Sequence, residues 1–272
     1  MDIKNVKIGI IGGGAMAENI LRGMLQADLL PAEQITVSDV RPERLTYLKG
    51  AFKVKTLLDN VDLASKADII IIAVKPQNMK GLLDEIKPVI NEKKLILSIA
   101  AGVKTKTIAD GLAGKGRIIR SMPNIAAKVL ESASALSTGP ASTGEDLAAA
   151  KKIFEAIGKI VVINEELMDA VTGLSGSGPA YFFLFIEALA EGGVKAGLSR
   201  AVALKLAAQT CFGAAKLILE TEEHPAVLKD QVISPGGTTS AGIEVLEKGA
   251  VRGMLMNAVA AAADRSKELG KA

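Results

Sequence analysis

The sequence predicts an α/β chain, with a Rossmann-type dinucleotide-binding domain over residues 1–164 followed by an all-helical substrate-binding and dimerisation domain over 165–272. Three observations predict it. Short β-branched runs alternate with amphipathic stretches as far as Ile163, the pattern of a parallel sheet covered by helices. The first run feeds straight into closely spaced glycines and a helix. After about Glu165 strand signals disappear and long alanine- and leucine-rich helical stretches take over.

Strands are expected near Lys7–Ile11, Ile35–Ser38, Asp68–Ala73, Leu95–Ile99, Arg117–Met122, Ala133–Ser137 and Lys159–Ile163. Between the last two, Ser142 and Glu145 have capping-box spacing and Gly158 is a stop signal, which bounds a helix over Gly144–Ile157. Further on, Pro179–Ala196 is apolar on nearly every face over its first half, and Arg200–Glu220 carries many small residues. Helices apolar all round need burial on all sides, which a domain of this size does not easily supply alone. The expectation is therefore a homo-oligomer in which two subunits share these helices.

Composition narrows the function. At 272 residues, 49% hydrophobic and 23% charged, the chain can bury a large core. Lys and Arg exceed Asp and Glu by only 33 to 30 and are scattered, so no nucleic-acid partner is expected. A lone cysteine, Cys211, cannot form an internal disulfide and fits a reducing, cytoplasmic setting. No signal peptide is recognisable, and apolar stretches such as Asp68–Val74 and Pro179–Ile186 break before the roughly 18 residues a membrane span needs. A soluble protein with no membrane partner is expected.

The strand ending at Ile11 continues as Gly12-Gly13-Gly14-Ala15-Met16-Ala17, a G-x-G-x-x-A fingerprint opening a helix from about Ala15 to Ala27. Gly12 permits the tight turn, Gly14 clears space for a pyrophosphate, and Ala17 lets the helix pack closely on the sheet. The helix start offers free N–H groups and its positive dipole end to phosphates. At the end of the second strand, Asp39 suits the ribose 2′-hydroxyl of NAD, whereas Arg41 or Arg44 with Ser38 suits the 2′-phosphate of NADP. The balance favours NADPH, with NADH also accepted. Ala73-Val74-Lys75-Pro76, Ser98–Gly102 with Ala100 and Ala101, and Met122-Pro123-Asn124 all end strands on the same ligand-binding rim. Asn124 could bind a carboxamide or substrate, or simply serve a turn.

A second glycine-rich loop, Ser234-Pro235-Gly236-Gly237-Thr238-Thr239, opens a helix in the second half. Hydroxyls beside free helix-start N–H groups make an anion site suited to a small carboxylate. With one histidine, His224, a His-based acid–base pair or His-rich metal site is not available, and no metal is expected. His224 precedes Pro225 in an inter-helix turn, where a structural role is expected.

Here the chain resembles pyrroline-5-carboxylate reductases, in Leu228-Lys229-Asp230, the Ser234–Thr239 loop and the helix that follows. The likeness also covers the N-terminal fingerprint, Ala73–Pro76, Ser98–Gly102, Arg120–Asn124, Ser175–Tyr181 and Glu222–Pro225, in order and across nearly the full length. Ala15 departs from the Asn of many bacterial members. The resemblance implies reduction of a cyclic imine, 1-pyrroline-5-carboxylate, to proline by a nicotinamide cofactor, in dimers often assembled into decamers of five dimers, with active sites spanning two subunits. It implies Thr239 near the substrate nitrogen, the backbone around Gly237 and Thr238 on the carboxylate, weaker roles for Glu222 and Ser234, and cofactor contacts from Asp39, Asn60 and Lys75.

Two other readings compete. A β-hydroxyacid dehydrogenase would need a lysine soon after Gly176-Ser177-Gly178, but Pro179–Glu187 contains none and Lys195 is too far along. A cofactor sensor without chemistry would have no evident use for the second anion-binding loop.

Overall fold

The computed structural model describes residues 3–270. The chain divides into two compact units, one comprising the residues up to Ser177 together with those from Ala261 onward, the other Gly178–Ala260.

The first unit is built on eight strands: β1 (Ile8–Ile11), β2 (Ile35–Ser38), β3 (Lys55–Leu57), β4 (Ile69–Ile72), β5 (Leu95–Ser98), β6 (Arg117–Met122), β7 (Ser132–Thr138) and β8 (Gly158–Val162). They form one sheet in the order β3-β2-β1-β4-β5-β6-β7-β8. Every residue of β1, β4 and β5 is buried, as expected of central parallel strands covered on both faces. Helices α1 (Ala15–Gln26) and α6 (Gly144–Glu155) pack into a core on one face, while α3 (Asn60–Lys66), α4 (Met79–Ile86) and α5 (Thr105–Gly111) close the other. α2 (Pro42–Phe52) leads into the edge strand β3.

The structure departs from the sequence reading in three ways here. β3 was not expected; it is three residues long and pairs only with β2, too short to show a periodic pattern. β7 runs antiparallel to β6, within a sheet expected to be parallel throughout. The link between them, Pro123–Glu131, holds only a short 3₁₀ turn, and a parallel return needs a longer crossover. The capping box of α6 is one residue later than expected. Thr143 Oγ accepts from Asp146 N at 3.2 Å and Asp146 Oδ2 accepts from Thr143 N at 2.8 Å, while Ser142 donates to Gly139 O. Asp146 is fully buried and also pairs with Arg117 at 3.1 Å, so the tertiary ion pair selects Asp146 over the flanking Glu145.

Residues 165–177, including α7 (Met168–Val171) and a π-helical turn over Thr172–Gly176, pack within the sheet-bearing unit. Met168 is fully buried, and Asn124 Nδ2 donates to Ser175 O at 2.9 Å. The chain's end returns to the same unit, where Ser266 Oγ donates to Asp169 Oδ1 at 2.6 Å.

The second unit holds α8 (Gly178–Lys195), α9 (Arg200–Thr221), α10 (Pro225–Val232), α11 (Thr238–Lys248) and the first part of α12 (Val251–Leu269). Its core is small: Ala190, Ala203 and Ala207 are buried, with Ile186 and Val194 packed on them. Phe183 is 60% exposed, Leu219 73% and Met256 72%, an apolar surface that a lone chain leaves in water. Against expectation, α9 has the length and apolarity of a membrane span, with little of it buried. Its abundant small residues and the apolar surface it shares with α8 equally suit packing against another subunit's helices.

Candidate functional site

The sheet order reverses direction between β1 and β4, and ligands of open α/β sheets bind at the carboxyl ends of strands flanking that point. Gly12 and Ala73 meet there. Gly12 has φ +95°, its N–H donates to Ser38 O at 2.8 Å, and a Cβ on it would lie 2.7 Å from Ala73 O. Gly13 N donates to Asp39 Oδ2 at 2.8 Å. Gly14 starts α1 as its N-cap, and a Cβ there would meet no atom within 4 Å. The space in front of the helix start is therefore open, as a bound pyrophosphate requires. Ala17 is buried against the core, in the close-packing role its position predicts.

The side chains expected to read the ribose divide sharply. Asp39 is held by Gly13 N–H and by Arg41, whose backbone N–H and Nε both donate to Asp39 Oδ1 at 3.0 Å. Burial pushes the Asp39 carboxyl up, but the Arg41 hydrogen bonds, the Gly13 N–H and the Arg41 charge outweigh it and hold it below the ordinary aspartate range. Arg41 remains exposed. Ser38 is fully buried and donates to Asn60 Oδ1 at 2.7 Å, while Asn60 Nδ2 donates to Glu85 Oε2 at 3.0 Å. Arg44, paired in the sequence reading with Ser38 on a 2′-phosphate, instead turns beneath the glycine loop: it donates to Gly13 O and, at 2.5 Å, to Glu18 Oε2. The periodicity of a helix gives no sign of such a crossing, since it depends on α2 lying beside α1.

Along the rim, Lys75 is exposed at the turn into a 3₁₀ helix that begins with Pro76, and Val74 is half-buried beside it. Ala100 is buried, Ala101 half-buried, and Gly102 has φ +74°. Asn124 is 8% exposed with both ends of its amide engaged: Oδ1 accepts from Ala126 N and Nδ2 donates to Ser175 O. The geometry gives it the turn-forming role and lets it fasten Ser175 to the rim. A further buried group, Arg120, lies 3.5 Å from Glu165, whose carboxylate accepts from both the N–H and the hydroxyl of Thr105. That network ties the segment after Ala101 to β6, and residues this far apart in sequence gave no local signal for it.

In the second unit, the loop before α11 has the form its composition predicts. Gly236 has φ +67°, Gly237 N donates to Ser234 O at 3.0 Å, and a Cβ on Gly237 would lie 2.2 Å from Ser234 Oγ. Gly237 is the N-cap with no side-chain cap, so the first N–H groups of α11, beside Thr238 and half-buried Thr239, are left for a ligand. Glu222 is exposed, with φ +56° at the end of α9. His224 caps α10, its Nδ1 accepting from Ala226 N at 3.2 Å, the structural role expected of it.

Comparison with known proteins sharpens this picture. Residues 165–269 match the family model for pyrroline-5-carboxylate reductase dimerisation, and residues 7–102 match that for coenzyme F420-dependent NADP oxidoreductases. A pyrroline-5-carboxylate reductase of Methanosarcina acetivorans is 49% identical over 99% of this chain and 100% of its own length. The structure of a pyrroline-5-carboxylate reductase from Coxiella burnetii superposes with TM-score 0.92 at 38% identity, covering 97% of this chain and 98% of that one. A Plasmodium falciparum pyrroline carboxylate reductase with NADP bound superposes with TM-score 0.89 at 32% identity, covering 98% and 99%.

Proposed function

The chain belongs to the pyrroline-5-carboxylate reductase family and is an NAD(P)H-dependent oxidoreductase of proline biosynthesis, and we propose from that premise which of its residues do the work. The reaction forms a C–H bond at the imine carbon, opens the C=N π bond onto nitrogen and leaves that nitrogen protonated. A bound nicotinamide cofactor supplies the hydride. The loop Ile11–Met16 holds its diphosphate through the free N–H groups at the start of α1, and Gly14 leaves the room for it.

NADPH is the preferred donor in this reading, with NADH accepted. The observation behind it is that Arg41 is exposed and neutralises Asp39, the acid that would otherwise repel a 2′-phosphate. Lys75 adds a second exposed cation on the same rim. The NADP-bound Plasmodium relative is consistent with that choice. Arg41→Ala is expected to weaken NADPH about 10- to 100-fold while moving NADH little, the scale of one charge-assisted phosphate contact. Titration of both cofactors checks this, and an unchanged preference would remove Arg41 from the discrimination.

The loop before α11 binds the substrate. Backbone N–H groups around Gly237 and Thr238 take the carboxylate, with Ser234 and Gly236 shaping the turn and Glu222 at the end of α9. The Thr239 hydroxyl orients the ring nitrogen. The mechanism is chiefly positioning and electrostatics, since a protonated iminium carries its own electrophilicity. A homo-oligomer follows from the dimerisation family; dimers gathering into a decamer, in the cytoplasm, complete the proposed picture.

The observation that carries the reading is the glycine-built start of α11 with no side-chain cap, which suits a carboxylate and which a cofactor sensor would not need. The test is absorbance at the reduced-nicotinamide band on mixing the protein, NADPH and 1-pyrroline-5-carboxylate, with a cyclic imine lacking the carboxylate as comparison. Oxidation dependent on the carboxylate is expected. Cofactor binding without oxidation of either NADPH or NADH would move the reading to a sensor or another substrate.

A further inference from the structure

Arg44 crosses from the first turn of α2 to the underside of the glycine loop. Its Nε donates to Gly13 O, and its Nη2 approaches Gly14 O at 3.4 Å while donating to Glu18 Oε2 at 2.5 Å. Glu18 is in turn held on Oε1 by Arg22 and by the Tyr47 hydroxyl, each at 3.0 Å, and the Arg44 guanidinium lies 5.0 Å from the centre of the Tyr47 ring. Burial raises the Glu18 carboxyl, but the hydrogen bonds from Arg44, Tyr47 and Arg22 and the Arg44 charge prevail and keep it ionised below its ordinary range. The guanidinium is therefore fixed on three sides, by a carboxylate, a ring face and the loop itself.

The consequence lies in peptide geometry. In a trans peptide the C=O of one residue and the N–H of the next point in opposite directions. Tying Gly13 O to Arg44 turns Gly14 N–H to the other side of the loop, while Gly14 O, which accepts from Glu18 N–H at 3.0 Å as the first bond of α1, turns Ala15 N–H the same way. Those are the donors a diphosphate would meet at the open helix start.

We propose that Arg44 is a positioning residue for the cofactor diphosphate: it touches no part of the cofactor but sets the direction of the Gly14 N–H that does. The proposal rests on the dinucleotide reading above, and it divides the labour of the two arginines, Arg41 outside on the ribose and Arg44 behind the loop.

The test is titration of NADPH and of NADH, followed by their own fluorescence, into wild type, Arg44→Gln, Arg44→Lys and Glu18→Gln, with KM and kcat for each cofactor. Arg44→Gln is expected to weaken both cofactors by the same factor, about 10-fold, the scale of losing a charged hydrogen bond. Its kcat at saturation should stay near wild type. Lysine should not restore binding, because an ammonium lacks the planar fork that joins Gly13 O to Glu18. Glu18→Gln, which leaves Arg44 in place but loosens its anchor, should give a smaller shift, again equal for the two cofactors. A loss confined to NADPH would mean that Arg44 contacts the 2′-phosphate directly, and unchanged affinities for all variants would mean a purely structural role; either overturns the proposal. Wild type binding neither cofactor would overturn the reductase reading and this inference with it, whereas tight wild-type binding with unaltered variants overturns this inference alone.

Discussion

Gly12→Ala is expected to abolish measurable cofactor binding, with an affinity loss of at least about 100-fold, or about 2.7 kcal/mol. Two independent features of the structure produce it. The backbone at Gly12 has φ +95°, a conformation side chains rarely adopt, and the new Cβ would sit 2.7 Å from the backbone oxygen of Ala73, which follows β4 and is held to β1 by its N–H on Ile11 O. Strain and collision together cost about 3 kcal/mol or more, so the thermal midpoint should fall as well. Gly14→Ala separates the two effects. Its Cβ meets nothing within 4 Å and its φ of −66° suits any residue, so the fold should be nearly unaffected while the methyl group enters the diphosphate space. The chain has no tryptophan, so the fluorescence of NADPH itself is a clean reporter for both titrations. A stable Gly14→Ala protein that binds NADPH like wild type would sink the assignment of the diphosphate to this loop.

Thr239→Ala is expected to lower kcat about 10- to 1000-fold, the range for removing one aligned polar group from a reacting centre. Thr239 is half-buried in the first turn of α11, and no side-chain cap is lost with it because Gly237 holds the N-cap position. The helix should therefore survive and the thermal midpoint stay close to wild type. Thr239→Ser, which keeps the hydroxyl, should recover most of the rate. Steady-state kinetics with 1-pyrroline-5-carboxylate decide the matter, because a hydroxyl that orients the ring nitrogen affects turnover more than cofactor KM. An unchanged rate in the alanine variant would take Thr239 out of the mechanism.

Both predictions start from features legible in the sequence, because they are local. A β-branched run, glycines at fixed offsets and a helix start lie within about twenty residues of one another around Gly12, and the Ser234–Thr239 loop is shorter still. Local geometry of this kind follows from what glycine, proline and small residues allow each peptide to do. The alternation of strands and helices up to Ile163 and the loss of strand signal afterwards are equally local, and strands β2 and β6 were legible to the residue.

Which side chains remain free for a ligand was decided only by the tertiary structure. Ser38 and Asn60 bond each other, Arg44 turns to Gly13 and Glu18, and Asn124 spends both ends of its amide, although each residue type suited a cofactor contact. Apart from Asn124's own cap, these bonds join groups more than twenty residues apart in the chain, and a polar group that meets a partner in the fold keeps fewer hydrogen-bonding positions for a ligand. The reversal of β7, the edge strand β3, and the packing of residues 165–177 within the sheet-bearing unit have the same origin. Sequence patterns state what each segment can bury and how it can turn, whereas strand neighbours and hydrogen-bond partners are settled by competition among segments once they pack.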